Sequence, residues 1–188
     1  MINKSTCIIS PNIRIRYPET FITEDYCILD DFSYFSAQCK FGFSTHISSG
    51  VSIIGGKESR FSCGDFSSLS TGVKIVCGSD DFINDIACLL PFPVGDDIKT
   101  HLTIGTVELG NFATVGVNSV VLPNVIIPEG TTVGAMSFVK KGTKLDPWSV
   151  YCMKSGKLTK VADRNKTNVL RQANLIMERL QLGKKYDS

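Results

Sequence analysis

Stepping by six residues from Leu109 passes through Val115, Val121, Ile127, Val133, Val139 and Leu145, every one aliphatic. A run of that length in one phase arises by chance on the order of once in ten thousand. Four residues after each member but the last stand Ala113, Ser119, Val125, Thr131, Ser137 and Thr143, all small or β-branched. Neither a helical period nor strict alternation produces this pattern. A short flat strand with one large and one small inward side chain, followed by a tight corner, does. Fixed-period self-similarity marks a solenoid, and a six-residue unit belongs to the parallel β-helix class, in which three sides close one triangular coil.

The same phase recurs upstream in Leu29, Phe35, Phe41, Ile47 and Ile53, and again in Cys63, Leu69 and Ile75. The intervening small positions agree: Ser33, Cys39, Thr45 and Val51, then Ser67 and Val73. "GGKESRFS" adds residues between the two runs, and "VCGSDDFINDIACLLPFPVGDDIKTHLTIGTVE" breaks the period before Leu109. Solenoids accept insertions at their corners, and long irregular loops in compact domains are usually functional. The organisation expected is one domain over 1–188. It comprises an N-terminal cap over 1–28, a β-helix over 29–147 with a loop at about 79–102, and a C-terminal segment with a helix over 148–188.

Composition narrows the class. At 188 residues and 43% hydrophobic, the chain can bury a sizeable core as one unit. A net charge of +2 without basic clusters gives no case for nucleic acid. No uninterrupted apolar run supplies a signal peptide in "MINKSTCIISPNIRIRY", and no transmembrane segment is expected. Seven scattered cysteines without a C-x-x-C pair point to free thiols in a reducing, cytoplasmic setting. Cys39 and Cys63 fall on inward positions, where cysteine is a small hydrophobe.

Both ends depart from the hexad. Cys7 to Tyr17 alternates apolar and polar, suggesting a strand that covers the first coil. After Pro147, the residues Val169, Leu170, Ala173, Ile176, Met177 and Leu180 fall at helical spacing, with Gly183 as the expected stop. That stripe should pack on the last coil or on a neighbouring subunit.

The hexads from Leu29 to Leu145, the loop after "GVKIVCGSDDF" and the segment "VGVNSVVLPNVIIPEGTTVGAMSFVKKGTKLDPWSV" resemble the hexapeptide-repeat acyltransferases, particularly the branch that acetylates sugars in bacterial surface-polysaccharide synthesis. The resemblance covers roughly residues 20–162. It implies a mainly β fold, a left-handed parallel β-helix with an extruded loop and a C-terminal α-helix. It also implies a homotrimer that binds acetyl-CoA in a groove between subunits and a sugar or nucleotide-sugar acceptor beneath the loop. Outward Ile54, Phe66, Val117 and Val120 would supply apolar surface for that trimer.

The resemblance further assigns cofactor contacts. Gly116 and Val117 in "VGVN", and Gly134, Ala135 and Ser137 in "VGAMS", match the stretches lining the groove, with Ala135 meeting the pantetheine arm. Lys140 and Lys141 match the dipeptide near the adenine, and Lys160 a basic residue reaching the phosphates. Small residues let the arm approach backbone groups that pair with its amides. The segment after Pro147 departs from the family pattern.

Acetyl transfer to a hydroxyl calls for a general base titrating near neutrality, whereas an amine needs less help. Related galactoside acetyltransferases carry their catalytic histidine where this chain reads "CGSDD". Three options follow: His46 is the base, Asp80 is, or the acceptor is an amine and positioning suffices. His46 is the expected base, with Asp80 orienting it or binding the sugar. Asp81, Asn84 and His101 are the expected acceptor contacts in the loop. A carbonic anhydrase of this fold needs three histidines per zinc, which His46 and His101 cannot supply, so no metal is expected. The competing classes are a non-catalytic scaffold and an acetyltransferase for serine or a xenobiotic.

Overall fold

The structure is a computed structural model, and it describes residues 6–86 and 102–187. About six coils stack into a triangular prism with three parallel sheets as its faces. Face A contains Ile8–Ile9, Ile28–Leu29, His46–Ile47, Ser68–Leu69, Thr114–Val115, Thr132–Val133 and Ser149–Lys154. Face B contains Arg14–Ile15, Tyr34–Phe35, Ser52–Ile54, Lys74–Val76, Val120–Val121 and Phe138–Val139. Face C contains Phe21–Thr23, Gln38–Phe41, Arg60–Cys63, Thr106–Leu109 and Val125–Ile127.

Parallel register turns the hexad into vertical columns. On face A, Ile9, Leu29, Ile47, Leu69, Val115 and Val133 lie one above another. Face B stacks Ile15, Phe35, Ile53, Ile75, Val121 and Val139 in the same way. The large hexad positions from Leu29 to Val139 are buried, while Leu145, beyond the last complete coil, is half-buried. The lower coils are filled by Phe21, Phe35, Phe41 and Phe61, with ring centroids 5.1 to 5.9 Å apart. Aromatic pairs at this spacing add to area burial.

The segment expected to cap the prism is itself a coil. Ile8–Ile9, Arg14–Ile15 and Phe21–Thr23 pair in parallel with the three strands of the next turn. A 3₁₀ turn at Pro18–Thr20 inserts residues between Ile15 and Thr23, so the phase that begins at Leu29 does not run back through it.

The three edges divide their work. The edge between faces C and A carries an aromatic ladder of Tyr26, Phe43, Phe66, Phe112 and Trp148, with successive centroids 5.3 to 5.7 Å apart. Gly130 interrupts the ladder at φ +66°, where a Cβ would lie 2.3 Å from the Trp148 ring, so only glycine fits beneath the indole. The helix Lys166–Arg179, capped by the Asn165 side chain, buries Leu170, Ala173 and Met177 against this edge. It therefore runs along this edge from Trp148 of the last coil past Phe112, Phe66 and Phe43 of the middle coils rather than across the end of the prism, and it half-buries Phe66, whose outward face the sequence assigns to a subunit contact. The chain leaves the helix through Gln181 at φ +57°, ahead of Gly183.

Asp65, at the same edge, anchors the C-terminus. Its carboxylate accepts from Phe43 N–H at 2.9 Å, from Tyr186 Oη at 2.6 Å and from Lys184 Nζ. Burial pushes this carboxyl up, but the bonds from Lys184, Tyr186 and Phe43 outweigh it and hold the group below its ordinary value. Asn174 pairs with both backbone groups of Tyr186 at 2.9 Å.

Candidate active site

Every insertion in the coils falls on the edge between faces B and C: Pro18–Thr20, then Gly55 to Ser59, then the long loop. The long loop leaves as an antiparallel ribbon of Gly78–Asp80 with Leu102–Ile104, in which Asp80 faces Leu102. Gly78 makes the exit possible, because a Cβ there would lie 2.5 Å from Ser59 Oγ and 2.6 Å from Gly55 O. Asp80 is half-exposed at the mouth of the ribbon. Asp81 closes the next turn, accepting from Ile83 N–H at 2.9 Å, Asn84 N–H at 3.2 Å and Asn84 Nδ2 at 2.8 Å. Asp81 and Asn84, expected as acceptor contacts, thus hold each other. His101 and Cys88 lie outside the described residues.

The edge between faces A and B is narrow because its corners are built from small residues. A Cβ on Gly116 would stand 2.5 Å from Ala135 N, and one on Gly134 2.8 Å from Cys152 Sγ. Val117, Ala135 and Met136 are exposed along this edge. Ser137 points inward instead: its hydroxyl donates to Gly134 O at 2.7 Å, and its N–H donates to Ser119 Oγ at 3.0 Å. Its side chain serves the corner and presents nothing to a bound molecule.

The expected cationic contacts separate. Lys140 and Lys141 are exposed just after Phe138–Val139, which places them at the edge between faces B and C. Lys160 stands on a hairpin of Ser149–Lys154 with Lys157–Asp163, paired to Asp163 at 2.7 Å and near Asp146 at 3.8 Å. The bond to Asp163 holds its ammonium above the ordinary lysine value. That charge is already matched by carboxylates of its own chain.

His46 is exposed on face A, between Ile28 and Ser68, with Nε2 2.9 Å from Asp30 Oδ2. It does not meet Asp80 within one chain, since the ribbon leaves from another edge. Asp30 was not singled out in the sequence; nothing in spacing reveals a contact made by a corner residue to the coil above. Burial pushes the thiols of Cys27, Cys63 and Cys77 up to about 12, so they pack rather than react.

The chain has the architecture of the left-handed, hexapeptide-repeat β-helix acyltransferases. Among solved structures it is similar to AntD, an N-acyltransferase from Bacillus cereus in complex with dTDP and 3-hydroxybutyryl-CoA, at 26% identity and TM-score 0.77 over 94% of this chain and 89% of that one. Among curated proteins it is similar to a dTDP-4-amino-4,6-dideoxy-D-glucose acyltransferase of Escherichia coli, 32% identical over 117 residues. That match spans 60% of this chain and 58% of the relative, less than two thirds of the relative's length. A galactoside acetyltransferase in complex with coenzyme A shares the fold at 16% identity and TM-score 0.58, over 80% of this chain and 69% of that one. No family profile matches the chain.

Proposed function

We propose that the chain is an acyl-CoA-dependent N-acyltransferase acting on the amino group of a nucleotide-linked aminodeoxysugar, as a homotrimer with its sites between subunits. The observation that carries this reading is the division of the expected site between two edges. Val117, Ala135 and His46 belong to face A and its edge with face B, while Asp80, Lys140 and Lys141 belong to the edge between B and C. A threefold assembly that brings the first edge of one subunit against the second edge of the next joins both halves. The apolar residues Phe82 and Ile83, in the turn just past the ribbon and 75% and 83% exposed, supply surface that such a neighbour would cover.

The similarity to an N-acyltransferase solved with dTDP and an acyl-CoA supports the choice of acceptor, as does a serine variant of that enzyme solved with dTDP-4-amino-4,6-dideoxyglucose and coenzyme A. The neutral amine attacks the thioester carbonyl, the carbon–sulfur bond breaks, and an amide and the free thiol of coenzyme A result. The nitrogen's proton passes to the departing thiolate or to a carboxylate. In this reading Asp80, half-exposed on the ribbon, receives it. Alignment of amine and thioester accounts for most of the rate, since a neutral amine is already nucleophilic. Acetyl-CoA is the proposed donor, and the product would feed surface-polysaccharide synthesis in the cytoplasm, where the free cysteines stay reduced. No helix among the described residues is long and apolar enough to cross a membrane.

The His46–Asp30 pair favours a second reading, transfer to a hydroxyl. Asp30 on Nε2 would leave Nδ1 to take the alcohol's proton. Incubation with acetyl-CoA and matched 4-amino and 4-hydroxy dTDP-sugars separates the two readings by which one releases coenzyme A.

A further inference from the structure

Face C carries a groove of about 410 Å³ that the proposed chemistry does not use. Its lining includes Ile22, Gln38, Lys40, Arg60, Thr106 and Glu108. Register fixes their arrangement: Gln38, Arg60 and Thr106 form one outward column, and Ile22, Lys40, Ser62 and Glu108 form the next. Lys40 and Arg60 are thus diagonal neighbours on adjacent strands, a separation of about 7–8 Å. Neither makes an ion pair with a carboxylate among the described residues. Glu108 is two strands above Lys40, about 10 Å away by strand spacing, and is the diagonal neighbour of Arg60 on the side away from Lys40, so it flanks the pair without lying between its two charges.

Two like charges placed diagonally on a rigid sheet repel each other unless an anion lies between them. The groove also has donors and a wall suited to a larger molecule. Ser62 and Thr106 present hydroxyls, and Ile22, 43% exposed, offers apolar surface at the lower end. Gln38 Nε2 donates to Lys57 O at 2.8 Å, fixing the Gly55 to Ser59 insertion on the rim. At the upper end, Thr106 follows the ribbon strand Leu102–Ile104 after one residue, so the groove opens toward the ribbon that holds Asp80. A molecule with an anion at Lys40 and Arg60 would extend its other end to that ribbon.

We infer that this groove binds the diphosphate of a nucleotide-sugar, with Arg60 and Lys40 as its cationic contacts. The inference rests on the reading of the chain as a nucleotide-sugar acyltransferase, and it places the nucleotide on the lower coils with the sugar reaching up to Asp80. Arg60 supplies the planar fork suited to phosphate oxygens, and Lys40 a point charge beside it.

The test is calorimetric titration of the full chain with dTDP, with thymidine as the uncharged comparator. Arg60→Gln and Lys40→Gln should each weaken dTDP binding by about tenfold and leave thymidine binding unchanged, the scale of one lost charge-assisted hydrogen bond. In transfer assays the KM for the nucleotide-sugar should rise while the KM for acetyl-CoA and kcat hold. Both residues are exposed, so the thermal midpoint should not move. Equal dTDP affinity in wild type and both variants overturns the inference, and so does failure of the wild type to bind dTDP. Sedimentation showing a broken oligomer with dTDP affinity intact would overturn it too, giving face C to a second copy of the chain. Charge-dependent dTDP binding without acyl transfer would sustain the groove and defeat the N-acyltransferase reading instead.

Discussion

Tyr186 Oη donates to Asp65 Oδ2 at 2.6 Å across 121 residues of sequence, tying the C-terminal tail to a corner of the third coil. Tyr186→Phe removes one hydrogen bond to a charged group and should cost about 1–3 kcal/mol in denaturant unfolding. Amide exchange in the helix Lys166–Arg179 should accelerate, because the tail that holds it is loosened. Acyl-transfer rates should hold, since the latch lies on the edge away from the ribbon.

The same carboxylate sets an acid limit. Its folded value lies below the ordinary 3.8, so its contribution is present above that pH and is lost as pH falls through the folded value. Unfolding free energy should therefore drop more steeply below about pH 4 in the wild type than in Asp65→Asn, which has no proton to take up there. Parallel slopes in the two proteins would show that the latch does not drive the acid response.

Ala135 is exposed at the narrow edge, so a bulky replacement does not enter the prism. Ala135→Trp should fold with an unchanged thermal midpoint and lose acetyl-CoA affinity by more than tenfold through steric overlap with the pantetheine arm. Calorimetry with acetyl-CoA reads both the intact fold and the blocked groove. Unaltered affinity would move the cofactor to another edge.

The β-helix was legible because its signal is redundant. The positions from Leu29 through Ile75 to Val139 repeat one physical demand, and a single exception would not have hidden it. The first coil was not legible, because the turn at Pro18–Thr20 puts Ile9 and Ile15 out of phase with Thr23 and Phe41. Phe66 faces outward from the prism as its corner position predicts, but the helix that packs on it arrives from far along the chain. The candidate site residues could be named from the sequence, but their geometry could not. Glycines and lysines could be matched one by one, yet only the coil register shows that Ala135 and Lys141 stand on different edges. Asp30, Asp65 and the Lys40–Arg60 diagonal are tertiary juxtapositions, made by residues with no periodic reason to be there.

Asp80 and His46 separate the two acceptor readings. For an amine acceptor, Asp80→Asn should lower kcat/KM by about 10²-fold or more, the scale of lost proton-transfer assistance. His46→Asn should stay within about threefold of wild type, because its ring is held by Asp30 on face A. A large loss confined to His46→Asn would return the base role to the imidazole and favour a hydroxyl acceptor.

Incubating the full chain with acetyl-CoA and dTDP-4-amino-4,6-dideoxyglucose, and following thiol release together with the mass of the sugar nucleotide, decides whether the chain is an amino-sugar N-acyltransferase. An N-acyltransferase should release one coenzyme A per sugar consumed and yield a nucleotide-sugar heavier by one acetyl group, bound as an amide that resists mild base. Acetylation of the 4-hydroxy sugar alone, or saturable acetyl-CoA binding with no transfer to any nucleotide-linked amino sugar, would contradict it.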